Sequence, residues 1–186
     1  MLYAIDSEGN RTNSIITLSS EYPLLNLENE GTKGVATLYT GSRTNQSELI
    51  SLFLFLSDNS PQSEWALHIE SNGNTTVGTF HDEKLAGNWK MLGVKTRPKY
   101  SIHSHPGINP NKIDEISSIA GYVERNAPDA KHPFLVSGSD LDKVKKRSTD
   151  VGENFFVYFP NTKAFYQVLE EAVCRVVSPY FERYRR

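Results

Sequence analysis

Ser101-Ile102-His103-Ser104-His105-Pro106-Gly107 is the stretch of this sequence best equipped for chemistry. Along an extended chain, residues two apart project to the same side. A strand running through His103 and His105 therefore aims two imidazoles at one place, as a metal ion requires. Neutral imidazole nitrogens bind Zn2+ at roughly 2.0–2.1 Å. Pro106 ends such a strand, which leaves the pair beside a loop and open to substrate. Zinc wants a third protein ligand and, when catalytic, an open position for water. Ser137-Gly138-Ser139-Asp140 offers a carboxylate at a strand-to-helix junction, with a hydroxyl three residues before it. Pro61-Gln62-Ser63-Glu64 offers another carboxylate at the start of a strand. Glu64 need not touch the metal: one hydrogen bond from the activated water, it can take a proton and later deliver it to a leaving amine.

The elements that must position these residues follow from hydropathy and turn residues. Ile15 to Leu18 and Val35 to Tyr39 are short strands by composition, with a loop at Glu28-Asn29-Glu30-Gly31 between them. Leu49, Ile50, Leu52, Phe53 and Leu56 recur at helical spacing after Ser47, a cap followed by an acidic first turn, and Asp58-Asn59-Ser60-Pro61 stops the helix. Glu64 to Ile69 and Thr75 to Phe80 are strands joined by the hairpin turn Asn72-Gly73-Asn74. Tyr100 to His103 leads into the histidine pair. Ile113, Ile116, Ile119, Ala120 and Val123 predict a second helix, Phe134 to Val136 a brief strand, and Asp140 or Ser139 the cap of a helix carrying Leu141, Val144 and Lys145. Phe155 to Phe159 and Ala164 to Leu169 read as a terminal β-hairpin, and Glu170 onward is expected to begin helical before Pro179. The alternation predicts one mixed α/β domain over 14–186, after a polar lead-in at 1–13 with turn residues at Glu8-Gly9-Asn10.

Composition narrows the possible functions. Among 186 residues, 20 Lys and Arg stand against 22 Asp and Glu, so no polyanion-binding surface is written into the net charge of -2. Nucleic acid is therefore not expected as a general partner. The single cysteine, Cys174, cannot close an internal disulfide and reads as a small buried hydrophobe. No apolar run is long enough to span a bilayer, and Met1 to Asp6 lacks the basic-then-apolar layout of a secretory signal.

Taken together, a glutamate opening a strand, His-x-His-Pro, and Ser-x-x-Asp resemble the JAMM metallopeptidase motif of the JAB/MPN superfamily. The resemblance spans about Ser47 to Leu169 and implies a mixed-sheet JAB/MPN-type domain with flanking helices. It implies Zn2+ held by His103, His105 and Asp140, with Glu64 as general acid/base and Ser137 steadying the tetrahedral intermediate. The activity implied is that of a peptidase or isopeptidase acting on a protein or peptide. One departure is the connection from His105 to Ser137, which is 32 positions long. Asp114 lies nearer the family's usual place, but Asn111 stands where its serine should be, so Asp140 is favoured and about 106–131 is read as an insertion beside the metal. The opening Ala4-Ile5-Asp6-Ser7-Glu8-Gly9-Asn10 also resembles the junction after bacterial Rhs repeat cores, whose terminal JAB-like domains are toxins. That resemblance implies an effector domain delivered on a larger secreted polypeptide, with a cognate immunity protein as partner.

Several residues have plainer readings. Glu48 sits in a first helical turn, where a carboxylate favours the dipole without any function, and Glu70 sits by a hairpin turn. His68, His81 and His132 read as structural or exposed, and Arg183-Tyr184-Arg185-Arg186 as a solvated tail. Lys143, Lys145, Lys146 and Arg147 leave open a metal-dependent nuclease or phosphoesterase built on the same ligands. A metal-free interaction module of the same fold is the other alternative, although such a module needs none of these ligands.

Overall fold

A computed structural model describes residues 1–5, 8–22, 25–28, 35–82, 86–106, 144, 152–161, 163–168 and 173–176. The helix expected at 113–123, the strand at 134–136, the insertion and the helix after Asp140 lie outside these residues, apart from Pro106 and Val144.

Strands β1 (Leu2–Ile5) and β2 (Arg11–Ile16) form an antiparallel pair. The remaining strands build one sheet: β3 (Leu25–Glu28), β4 (Val35–Gly41), β5 (Ala66–Ile69), β6 (Thr75–Thr79), β7 (Tyr100–Ser104), β8 (Asn154–Phe159), β9 (Ala164–Val168) and β10 (Val173–Val176). Their order across the sheet is β10-β9-β8-β7-β5-β6-β4-β3. Every pairing is antiparallel except β7 with β8, which is parallel. Helix α1 (Gln46–Asn59) follows β4.

The two faces of this sheet carry different partners. Cross-strand partners share a face, so Tyr39, Val77, Leu67, Ile102 and Phe156 form one row. Those residues pack against Leu49, Ile50, Leu52 and Phe53 of α1, all four fully buried. One register position along, Leu38, Gly78, Ala66, His103, Val157 and Tyr166 form a row on the opposite face. Leu38 and Ala66 join Phe80, Ala86 and Leu92 in a separate apolar cluster there. The histidine face is thus walled by the 86–92 segment, while α1 covers the other. A groove of about 720 Å3 lies between β2 and α1, with Leu54 and Tyr158 of the helix-side core in its lining.

Local chemistry accounts for the main turns and ends. Gly73 adopts φ +91°, which favours glycine, and a Cβ there would fall 2.7 Å from the Cβ of Arg43. Asn72 Oδ1 accepts the Asn74 N–H at 2.9 Å and completes the hairpin turn. The N-cap of α1 is Asn45, not Ser47, and its side chain makes no capping bond. The Asn45 amide donates to Ser20 Oγ at 2.9 Å instead. Glu48 ties the same corner by accepting from the Ser19 N–H and the Tyr22 hydroxyl. At the other end of α1, Asp58 accepts the Tyr158 hydroxyl at 2.7 Å and pairs with Lys163 at 2.6 Å, joining the β8–β9 turn to the helix.

Three further expectations change. The lead-in at 1–13 carries β1 and part of β2, because Ala4 is buried and Leu2 packs on the main core while Tyr3 and Ile5 face out. All four are apolar, so hydropathy conceals the alternation. Residues 173–176, expected to begin a helix, pair with β9 as β10, and the terminal hairpin is thereby a three-stranded meander. β3, read partly as loop, adds an edge strand to β4.

Candidate metal and amide-hydrolysis site

β7 continues its extended course one residue beyond Ser104. The Ser104 N–H donates to the Trp65 carbonyl at 2.8 Å, and the His105 N–H to the Tyr158 carbonyl at 2.9 Å. Ser104 Oγ also accepts the Trp65 N–H at 2.9 Å. With both neighbouring strands holding the backbone straight, His103 and His105 point the same way. Their Nε2 atoms come within 2.8 Å of each other, and the ring centroids lie 4.8 Å apart. Phe155 supports the His103 ring at 5.1 Å, and Phe159 meets the His105 ring edge-on at 5.5 Å.

Glu64 closes a further side of the site, and its position is over-determined. Its N–H donates to the Asp82 carbonyl at 2.8 Å, and its carbonyl accepts from Thr79 Oγ1 at 2.7 Å. Oε2 accepts the Ala86 N–H at 3.2 Å, and Oε1 lies 3.8 Å from His105 Nε2. The side chains of His105 and Glu64 are 5% and 12% exposed, so the carboxylate works in a largely dry setting.

This donor set suits a divalent cation. Two imidazole nitrogens at 2.8 Å can share at most one proton between them, and a cation takes the place of that proton. Tetrahedral bonds of ~2.0–2.1 Å set two nitrogens about 3.3 Å apart, so a modest opening of the pair would admit zinc. Among the described residues no group of three or more His, Cys, Asp and Glu side chains converges to hold a metal. Asp140 and Ser137 lie outside the described residues, so of the expected site residues the structure brings together His103, His105 and Glu64.

The other two described histidines have separate roles, and His132 lies outside the described residues. His81 Nε2 lies 2.7 Å from Thr37 Oγ1, and its ring meets Trp65 edge-on. His68 is buried beside the site, with Nδ1 2.9 Å from Ser101 Oγ. Burial pushes its pKa down to about 3, nearby His103 adds to the shift, and the Gly87 backbone opposes it. Two contributors left no trace in the sequence. The Ala86 N–H is a backbone donor with no residue signature, and Ser101 reads as an ordinary strand serine.

A mixed sheet, a His-x-His pair on its central strand and a glutamate opening the adjacent strand define an α/β domain of JAB type. The chain belongs to the JAB-like toxin 1 family, whose model matches residues 41–145, more than half of its length. The matched span includes Glu64, His103, His105, Ser137 and Asp140. No curated protein and no solved structure matches the chain. No described helix is long and apolar enough to cross a membrane.

Proposed function

We propose that this toxin domain hydrolyses an amide bond, peptide or isopeptide, with Zn2+ held by His103, His105 and Asp140. The observation that carries the reading is the convergence of His103 Nε2, His105 Nε2 and Glu64 Oε1 in one partly buried place. Zinc bound there would supply Lewis acidity, polarising a carbonyl and acidifying a water. With the metal held through both Nε2 atoms, each ring would keep its remaining proton on Nδ1.

Glu64 divides its labour between its two oxygens. The Ala86 N–H occupies Oε2, which leaves Oε1 facing His105 to take a proton and pass it to the departing amine. Ser137 is assigned to hydrogen-bond the developing oxyanion. Family membership supports a toxic role, and the Rhs-like opening supports carriage on a larger polypeptide. A cognate immunity protein would then act by covering the cleft.

The test is zinc content of protein purified without chelator, followed by incubation with peptide, isopeptide-linked, plasmid and RNA substrates. One zinc per chain with amide cleavage that Glu64→Gln abolishes is the expected result. Cleavage of plasmid or RNA alone would replace this reading with the phosphoesterase one. A metal content near zero, unrestored by added zinc, would replace it with the interaction module.

A further inference from the structure

We propose that His68 is a positioning residue that, through Ser101, fastens strand β7 to the Gly152 end of β8 beside the site. The consequence for turnover rests on the amide-hydrolysis reading, but the fastening itself does not.

His68 and Ser101 are direct cross-strand partners on the face that carries His103. Both are buried, and His68 Nδ1 lies 2.9 Å from Ser101 Oγ. The same hydroxyl oxygen accepts the Gly152 N–H at 3.0 Å. Gly152 fits tightly at this junction. A Cβ there would lie 2.8 Å from the Pro98 carbonyl oxygen and 3.0 Å from both N and Oγ of Ser101. β8 starts at Asn154, and its parallel register against β7 sets Val157 beside His103. Holding Gly152 to Ser101 therefore fixes how β8, with Phe155 beneath the His103 ring, meets the histidine strand.

The Gly87 backbone is a further polar neighbour of the imidazole. Gly87 has φ +87°, and a Cβ there would collide with the Phe80 ring at 2.5 Å, so this corner is also tightly seated. The preceding residue, Ala86, donates the N–H that holds Glu64 Oε2. His68 Nε2 is buried and closes no hydrogen bond of normal geometry with a described group.

In the proposed junction Ser101 Oγ accepts from Gly152 and donates its own O–H to Nδ1, with the ring proton on Nε2. A neutral imidazole can accept at one nitrogen and carry a proton at the other. An aliphatic side chain of similar bulk would fill the space but leave the Ser101 hydroxyl without its acceptor.

The test uses the full chain. We expect His68→Phe to speed hydrogen exchange of the Gly152 amide at least tenfold, with amides of α1 unchanged, and to lower kcat about tenfold with KM within twofold. His68→Asn places a carbonyl near the position of Nδ1 and should restore Gly152 protection. Wild-type protection of the Gly152 amide in His68→Phe overturns the proposal. So does a uniform acceleration that includes α1, since that reports lost stability alone. If His68→Phe fails to fold, the contrast between His68→Asn and His68→Gln decides: equal protection of Gly152 in both overturns it. Hydrogen exchange is indifferent to catalysis, so wild-type protein lacking zinc or turnover counts against the hydrolysis reading only.

Discussion

Glu64 Oε1 and His105 Nε2 lie 3.8 Å apart at the ends of neighbouring strands, while the other oxygen of the same carboxylate is taken by a backbone N–H. In the proposed hydrolysis, a carboxylate anchored through one oxygen would keep the second aimed where the proton is carried, without losing side-chain entropy at each turnover. Glu64→Gln preserves shape and can still accept from Ala86 through its amide oxygen. It should bind zinc within about threefold of wild type and lose roughly 10²–10⁴ in kcat. Zinc titration and single-turnover kinetics on the same preparations check this, and undiminished turnover would reassign the proton carrier.

Loss of either imidazole should act earlier, on the metal itself. His103→Ala or His105→Ala leaves one nitrogen where the structure presents a pair 2.8 Å apart, and Asp140→Ala removes the proposed third ligand. Each is expected to lower zinc affinity at least 100-fold while the helix-side core stays intact, since the histidine pair lies on the sheet face opposite the Leu67–Ile102 row that packs on α1. A chelator should abolish wild-type turnover and added zinc restore it. Zinc-bound Asp140→Ala with full activity would point to another carboxylate.

The Glu48–Tyr22 pair gives a stability signature at both ends of the pH scale. Burial pushes the Glu48 carboxyl up, but hydrogen bonds from Tyr22, Ser19 and Ser20 outweigh it and leave the pKa below its ordinary value of 4.5. Such a group contributes stability above pH 4.5 that is lost as pH falls through the lowered folded value. Tyr22 shifts the other way, raised above 10 by burial and by Glu48. Its contribution is present below pH 10 and disappears as pH climbs through the raised value. Urea denaturation should therefore show Glu48→Gln less stable than wild type at neutral pH, with the difference closing in acid. Tyr22→Phe should show a deficit that closes in alkali. A pH-independent deficit in both variants would contradict the assignment.

The sequence discloses those parts of this fold whose cause is local. The hairpin at Asn72-Gly73 is legible because left-handed backbone favours glycine, and α1 because its apolar residues recur at helical spacing. His103 and His105 are legible because strand alternation alone puts them side by side. Glu64 could be tied to the start of β5, but not to His105, since that relation depends on β5 and β7 pairing in the register Ala66 to His103. The edge strands β3 and β10 escape for a related reason: a short strand is made by the unpaired edge of its neighbour more than by its own propensities. β1 hides its alternation under uniformly apolar residues. The grip of Ala86 on Glu64 uses a backbone donor that any residue but proline would supply, so nothing in the residue types announces it.

His68 makes a further prediction that needs neither metal nor substrate. Its folded pKa of about 3 lies below the ordinary value of 6.5, so the folded protein excludes a proton that the unfolded chain readily binds. Between those two values the unfolded state holds more protons, and stability must fall as pH falls. One such group changes the unfolding constant by about tenfold per pH unit within that window and has no effect above it. His68→Phe removes the group while filling its space. The difference in stability between wild type and His68→Phe, followed by denaturant titration of zinc-free protein, should be constant above neutrality and move against wild type as the solution is acidified from pH 6.5. A difference that stays flat down to pH 4 would mean that the imidazole takes up its proton inside the fold, and the neutral junction between His68 and Ser101 would have to be redrawn.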